Sequence, residues 1–181
     1  GRRAEKEAGR FRMTLNIDVS NPAGDWSMVE DVDIRAAACA AWNSISSDDE
    51  DGEVSIVLAD DAFIQDLNAR FRGNNAPTNV LSFPLLDFEN DLSGCNPGEA
   101  RHLGDIILAL ATITREAEAQ DKALSDHARH LVVHGLLHLM GWDHEATQAA
   151  MEMEALGGEI LAGLGVANPY EAAANPYEAA V

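Results

Sequence analysis

At 181 residues with 46% hydrophobic content, the chain has enough apolar material for one folded domain. No apolar run approaches the length of a bilayer span, and the N-terminus lacks the apolar core of a secretory signal, so a soluble, cytoplasmic protein is expected. The net charge of −19 argues against a generic nucleic-acid binder, whose affinity rests on Lys and Arg neutralising phosphates.

The charge is unevenly placed. Residues 1–12 hold five of the twelve basic side chains and two acids, which leaves seven basic and twenty-nine acidic residues beyond them. This stretch reads as a flexible basic arm ahead of the fold, with contact to RNA as the sharper alternative. Met13 stands just ahead of Leu15 to Val19, where apolar and polar residues alternate as in a half-buried strand. Val29 to Ile45 has helical apolar spacing and an Ala-rich centre, and an acidic turn, Ser46 to Glu53, ends it. Val54 to Leu58 reads as a second strand. Asp60 to Phe71 reads as an amphipathic helix with acids at its start, where the helix dipole favours them. Gly73 to Pro77 is a turn, and Val80 to Phe83 a third strand stopped by Pro84. Asp87 to Ala100 is irregular, broken by Gly94, Pro97 and Gly98, and Gly104 to Leu110 is a fourth strand.

The second half turns helical. Thr114 to Gln120 is one predicted helix. Ser125 to Met140 is another, stopped by Gly141, and Ala146 to Leu164 is the last, with Gly157 and Gly158 weakening its middle. Met140, Trp142, Met151 and Met153 read as core, and His102 and His127 as solvated. Cys39 and Cys95 lie far apart without metal-type spacing and read as free thiols. The tail repeats itself: Ala167–Ala173 and Ala174–Ala180 both spell ANPYEAA. Two copies are too few to stack into a solenoid, so residues 166–181 are expected to form a loose tail. Residues 13–165 are left as one domain of four strands and five helices.

The segment from His134 to His144 carries the chemistry. His134 and His138 lie four apart and share one face of a helix. Gly141 permits a left-handed exit that can return His144 to the same point. Three imidazoles suit zinc and leave a fourth position open, as catalytic sites do; nickel, cobalt or copper fit the same donors. His130 also lies four before His134, but it is eight residues from His138, roughly 12 Å along a helix axis, and all three cannot hold one ion. His130 is therefore the candidate for supporting a ligand from behind, as is Asp143 on the turn, which is also a possible base. The spacing H-x-x-x-H-x-x-G-x-x-H is that of the metzincin proteases, except that Gly135 stands where those enzymes carry the glutamate base.

Together with Leu67-Asn68-Ala69-Arg70-Phe71-Arg72-Gly73, then Pro77-Thr78-Asn79-Val80-Leu81-Ser82-Phe83-Pro84, and Leu103-Gly104-Asp105-Ile106, the histidine string resembles the YbeY family of bacterial rRNA-maturation endoribonucleases. The blocks stand in family order across roughly residues 13–165. The resemblance implies an α/β (α+β) fold around a small mixed four-stranded sheet packed by helices. It implies zinc, one ion per chain, on His134, His138 and His144 at a C-terminal helix-turn. The implied activity is single-strand-specific cleavage in rRNA processing, notably small-subunit rRNA 3′-end maturation, and ribosome quality control. By the same match Arg72 faces the metal cleft as a catalytic candidate alongside His134, and guanidinium suits phosphate geometry. Thr78 and Ser82 are candidates for hydrogen-bonding substrate, although strand or turn packing is the plainer use of each. The expected partners are ribosomal RNA precursor or the ribosome and its protein or assembly factors, with no membrane and no DNA. Two other readings stand beside this one: a metal-dependent peptidase, weakened by Gly135, and a non-catalytic ribosome-assembly factor with structural zinc, which the acidic body suits.

Overall fold

The computed structural model describes residues 14–46, 50–85, 99–143 and 145–171. The basic arm, most of the irregular stretch with Cys95, His144 and the second ANPYEAA copy lie outside them. Four strands and five helices follow one another as β1 (Leu15–Ser20), α1 (Asp31–Ile45), β2 (Gly52–Ala59), α2 (Asp61–Arg72), β3 (Val80–Pro84), β4 (Arg101–Ala109), α3 (Leu110–Ala119), α4 (Leu124–Leu139) and α5 (Thr147–Gly163). The sheet order is β1-β2-β4-β3, with β1, β2 and β4 parallel and β3 antiparallel at the edge. This is the expected small mixed sheet.

Several elements begin earlier than the sequence pattern predicts. β2 starts at Gly52, inside the predicted turn, because its N–H donates to Thr14 O at 3.0 Å and the residue pairs with both Leu15 and Arg101. The Trp42 ring lies over Gly52 so closely that a Cβ there would meet its Cη2 at 2.8 Å. β4 starts at Arg101, and the register shift opposite Glu53/Val54 leaves Leu103 as the extra residue of a bulge. Gly104 follows it at φ 126°, and a Cβ there would lie 2.1 Å from Phe83 O. Only glycine lets β3 approach β4 at that point. α3 starts four residues early, running straight out of β4 with no loop.

Alternation along the strands sorts side chains to two faces. Val54, Ile56, Leu58, Ile106 and Leu108 join the main core with Ile34 and Trp42 of α1, Leu136 and Leu137 of α4, and Leu161 of α5. Val57, Ala59, Leu81, Phe83, Ile107 and Ala109 form a smaller core on the opposite face under Ile64 and Leu67 of α2. α2 has the start and stop expected of it: Asp60 Oδ1 accepts from Phe63 N at 2.8 Å, and Gly73 exits left-handed at φ 68°. α4 therefore packs on one side of the sheet and α2 on the other, with edge strand β3 between them.

Two expectations about packing need correction. Met151 is 61% exposed; it sits on the solvent side of α5 while Met153 is buried. Residues 166–171 are not loose. Val166 is buried, Asn168 fills the space left by Gly158, and the Tyr170 ring lies against Gly157. The two glycines that weaken α5 in isolation are what admits this segment.

Candidate metal centre and cleft

α4 is an apolar helix with a polar stripe. Leu131, Val132, Val133, Gly135, Leu136, Leu137 and Leu139 are buried, and His130, His134 and His138 run down the half-buried side. The Nε2 atoms of His134 and His138 lie 3.0 Å apart, with the ring planes nearly perpendicular at 80°. Two imidazoles at zinc's bond length in a tetrahedron have nitrogens about 3.3 Å apart. The pair thus fits two ligands of one ion.

The end of α4 is the predicted glycine stop in full. Trp142 N donates to Leu137 O at 3.0 Å and Gly141 N to His138 O at 3.0 Å, with Gly141 at φ 92°; these are the paired bonds of a Schellman turn. The chain reverses just beyond His138. Asp143 is exposed, and its Oδ1 accepts from Glu145 N at 3.1 Å. His144, the expected third ligand, lies outside the described residues. Among the described residues no group of three or more His, Cys, Asp or Glu gathers as a metal site.

His130 points to Tyr170, whose hydroxyl lies 3.1 Å from its Nε2. Its ring meets His134 edge-on at 6.3 Å between centroids. Burial, with His127, His134 and Lys122 nearby, pushes its pKa down to about 3, so it is a neutral imidazole packed behind the His134–His138 pair. His127, read as solvated, is in fact buried, with Nε2 2.7 Å from a Glu116 carboxylate oxygen. The same carboxylate accepts from Asn79 Nδ2 at 3.2 and 3.0 Å. Asn79 in turn takes the Val80 N–H on its side-chain oxygen and the Ala109 N–H on its carbonyl. This network locks the start of β3 to α3 and α4. Sequence pattern does not reveal it, because the partners lie 37 and 11 residues apart with no periodic signal. His102 is exposed, paired with Glu53 at 2.8 Å.

Gly135 decides how closely α4 meets the sheet. A Cβ there would lie 2.9 Å from Ile106 Cγ2 and 3.0 Å from Ser82 Oγ. The position that bears glutamate in metzincins is here pressed against β3 and β4, with no room for a side chain. Ser82 donates to Gly135 O at 3.3 Å, so its hydroxyl serves packing between β3 and α4. Thr78 is half-buried in the turn before β3. Arg72 ends α2 on the other side of the sheet. It donates to Ser82 O at 3.1 Å, and its guanidinium carbon lies 5.5 Å from the Phe83 ring centre. Asn68, buried in α2, donates to Ala76 O at 2.8 Å and holds the intervening turn in place. A short chain of contacts therefore joins the elements: Arg72 to Ser82, and Ser82 to the residue after His134.

A family profile described as Endoribonuclease YbeY matches residues 27–165. A protein of Parvibaculum lavamentivorans named endoribonuclease YbeY is 46% identical over 164 residues, covering 87% of this chain and 86% of its own length. Another of the same name, from Paramagnetospirillum magneticum, is 47% identical over 161 residues, covering 87% of this chain and 97% of its own. A Thermotoga maritima protein known from a solution structure shares the fold, with a TM-score of 0.52 at 24% identity over 86% of this chain and 95% of that one.

Proposed function

The chain belongs to the endoribonuclease YbeY family, and from that premise we propose that it is a zinc-dependent, single-strand-specific endoribonuclease acting in rRNA processing, with the small-subunit rRNA 3′ end as its substrate region. The observation that carries the metal reading is the convergence of His134 and His138, whose Nε2 atoms lie 3.0 Å apart at the mouth of a tight glycine turn. His144, three residues past that turn, completes the donor set. Zinc bound there supplies Lewis-acid activation for phosphodiester hydrolysis.

The remaining parts belong to the chain itself. Arg72 spends one N–H on Ser82 O, and its exposed guanidinium has further N–H groups for a phosphate oxygen. A charge-assisted contact of that kind strengthens as charge grows on the phosphoryl oxygens. Ser82 and Gly135 fix the distance between Arg72's strand and the ligand helix. The close packing at Gly135 excludes a carboxylate base at that position, which weighs against peptide hydrolysis. In the acidic remainder of the protein, ribosomal proteins or assembly factors are the natural further partners in the cytoplasm. Among the described residues no helix is long and apolar enough to cross a membrane.

The test is elemental mass spectrometry on wild type, His134→Ala and His144→Ala, with cleavage of a fluorescent single-stranded RNA measured on the same samples. Metal and cleavage are expected to fall together. Full cleavage by a metal-free variant overturns the proposal. Lowered melting temperature with processing intact assigns zinc a structural role instead.

A further inference from the structure

We propose that Phe71 and Phe83, beside Arg72, form a base-stacking platform that holds unpaired nucleotides of an RNA substrate against the outer flank of β3. The proposal rests on the endoribonuclease reading and supplies what that reading lacks, a means for a protein of net charge −19 to grip a polyanion.

The apolar stripe of α2 is buried at Ile64 and packed at Leu67, where it covers the smaller core. Phe71 prolongs that stripe past the edge of the sheet and remains 64% exposed. Its ring meets Phe83 edge to face, with centroids 5.5 Å apart and planes at 66°. The Arg72 guanidinium lies over the same Phe83 ring. Leu85, two residues on from Phe83 and 66% exposed, extends the apolar surface along the strand, held there by its N–H bond to Leu103 O at 3.1 Å. An exposed aromatic ring, backed by the half-buried Phe83 and next to an arginine, has the composition of a single-strand platform, where bases stack on rings and a cation takes the phosphate.

Three observations favour RNA bases as the occupant. The patch adjoins the chemistry: Phe83 follows Ser82, whose hydroxyl binds the residue next to His134. Arg72 lies over the Phe83 ring and bonds Ser82 O, so a nucleotide stacked on Phe71 has a guanidinium beside it for its phosphate. Finally, a net-acidic body makes phosphate attraction weak, so affinity must come from a contact that does not depend on charge. Stacking meets that need, and it also selects single strands, because paired bases offer no free face.

The experiment compares KM and kcat for a fluorescent single-stranded RNA, and for the same sequence as a duplex, in wild type, Phe71→Ala, Phe71→Trp and Val32→Ala. Stacking is worth roughly five- to hundredfold per base when the ring is removed. Phe71→Ala is expected to raise KM for the single strand about tenfold, in KM rather than kcat, while Phe71→Trp keeps or lowers it. Val32→Ala, exposed on α1 and remote from the platform, serves as the unchanged control. The added tryptophan of Phe71→Trp is expected to be quenched by single-stranded oligoadenylate. An unchanged KM in Phe71→Ala with wild-type cleavage intact overturns the platform and leaves the endoribonuclease reading standing. Loss of a protein partner in that variant with RNA KM unchanged also overturns it and makes the patch a protein-docking surface. Wild type that cleaves no RNA overturns the parent reading itself.

Discussion

Gly135→Ala sets two principles against each other with opposite signs. Alanine in place of glycine in mid-helix stabilises by about 1 kcal/mol through helix propensity alone. At this position the new methyl would lie 2.9 Å from Ile106 Cγ2, 3.0 Å from Ser82 Oγ and 3.3 Å from Ile106 Cδ1. Ile106 is fully buried and cannot swing away, and Ser82 can turn only by giving up its bond to Gly135 O. Overpacking of a close-packed core costs about 1–3 kcal/mol, so the net effect is a loss of about 0–2 kcal/mol rather than a gain. For a domain of this size that corresponds to a fall of up to about 8 °C in melting temperature. The second consequence is geometric. α4 must move off the sheet by a few tenths of an ångström, which separates His134 from Ser82 and Arg72. Thermal and urea denaturation of wild type and Gly135→Ala, with cleavage on the same preparations, provide the check. A variant more stable than wild type with unaltered cleavage would refute the reasoning, since propensity would then have won and the contact at Gly135 would be loose.

Gly104→Ala is expected to be far worse than Gly135→Ala, because the position combines φ 126° with a Cβ 2.1 Å from the Phe83 carbonyl; urea unfolding should show a loss above about 3 kcal/mol or no folded protein. Glu116→Ala strips partners from buried His127 and from Asn79 at once, with an expected cost of roughly 1–3 kcal/mol by thermal denaturation, and an unchanged melting temperature would mean the network is incidental. Asp61 is raised by partial burial, but hydrogen bonds from the Thr112 hydroxyl and N–H and from Arg115 outweigh that and hold its pKa below the ordinary 3.8. A depressed carboxylate contributes stability that is present above its unfolded pKa and lost as pH falls through the folded one. The stability gap between wild type and Asp61→Asn should therefore be constant near neutrality and shrink below pH about 4; a gap that widens in acid would reverse the sign.

Local patterns in the sequence carry the helices and strands well where the signal is local. Asp60 and Gly73 bound α2, and Gly141 ends α4, because a cap or a left-handed turn needs one residue type at one place. The histidine pair was legible for the same reason, since a four-residue spacing on a helix is itself a distance. What pattern reading misses is whatever a distant partner decides. Gly52 looks like part of a turn until Trp42 and two neighbouring strands claim it. His127 looks like a solvated histidine until Glu116 and Asn79 surround it.

The glycines of α5 carry this point furthest. In isolation Gly157 and Gly158 lower helix stability, and nothing nearby in sequence explains them. In the fold a Cβ at 158 would lie 2.6 Å from Asn168 Nδ2, and one at 157 would lie 3.4 Å from the Tyr170 ring. The same ring's hydroxyl reaches His130, which lies against His134. A weak spot in one helix is thus the socket for a segment that backs α4, and the first ANPYEAA copy is structural through its Asn168 and Tyr170. Tyr170→Phe should therefore alter the surroundings of His130, since it removes the hydroxyl 3.1 Å from the imidazole while keeping the ring against Gly157.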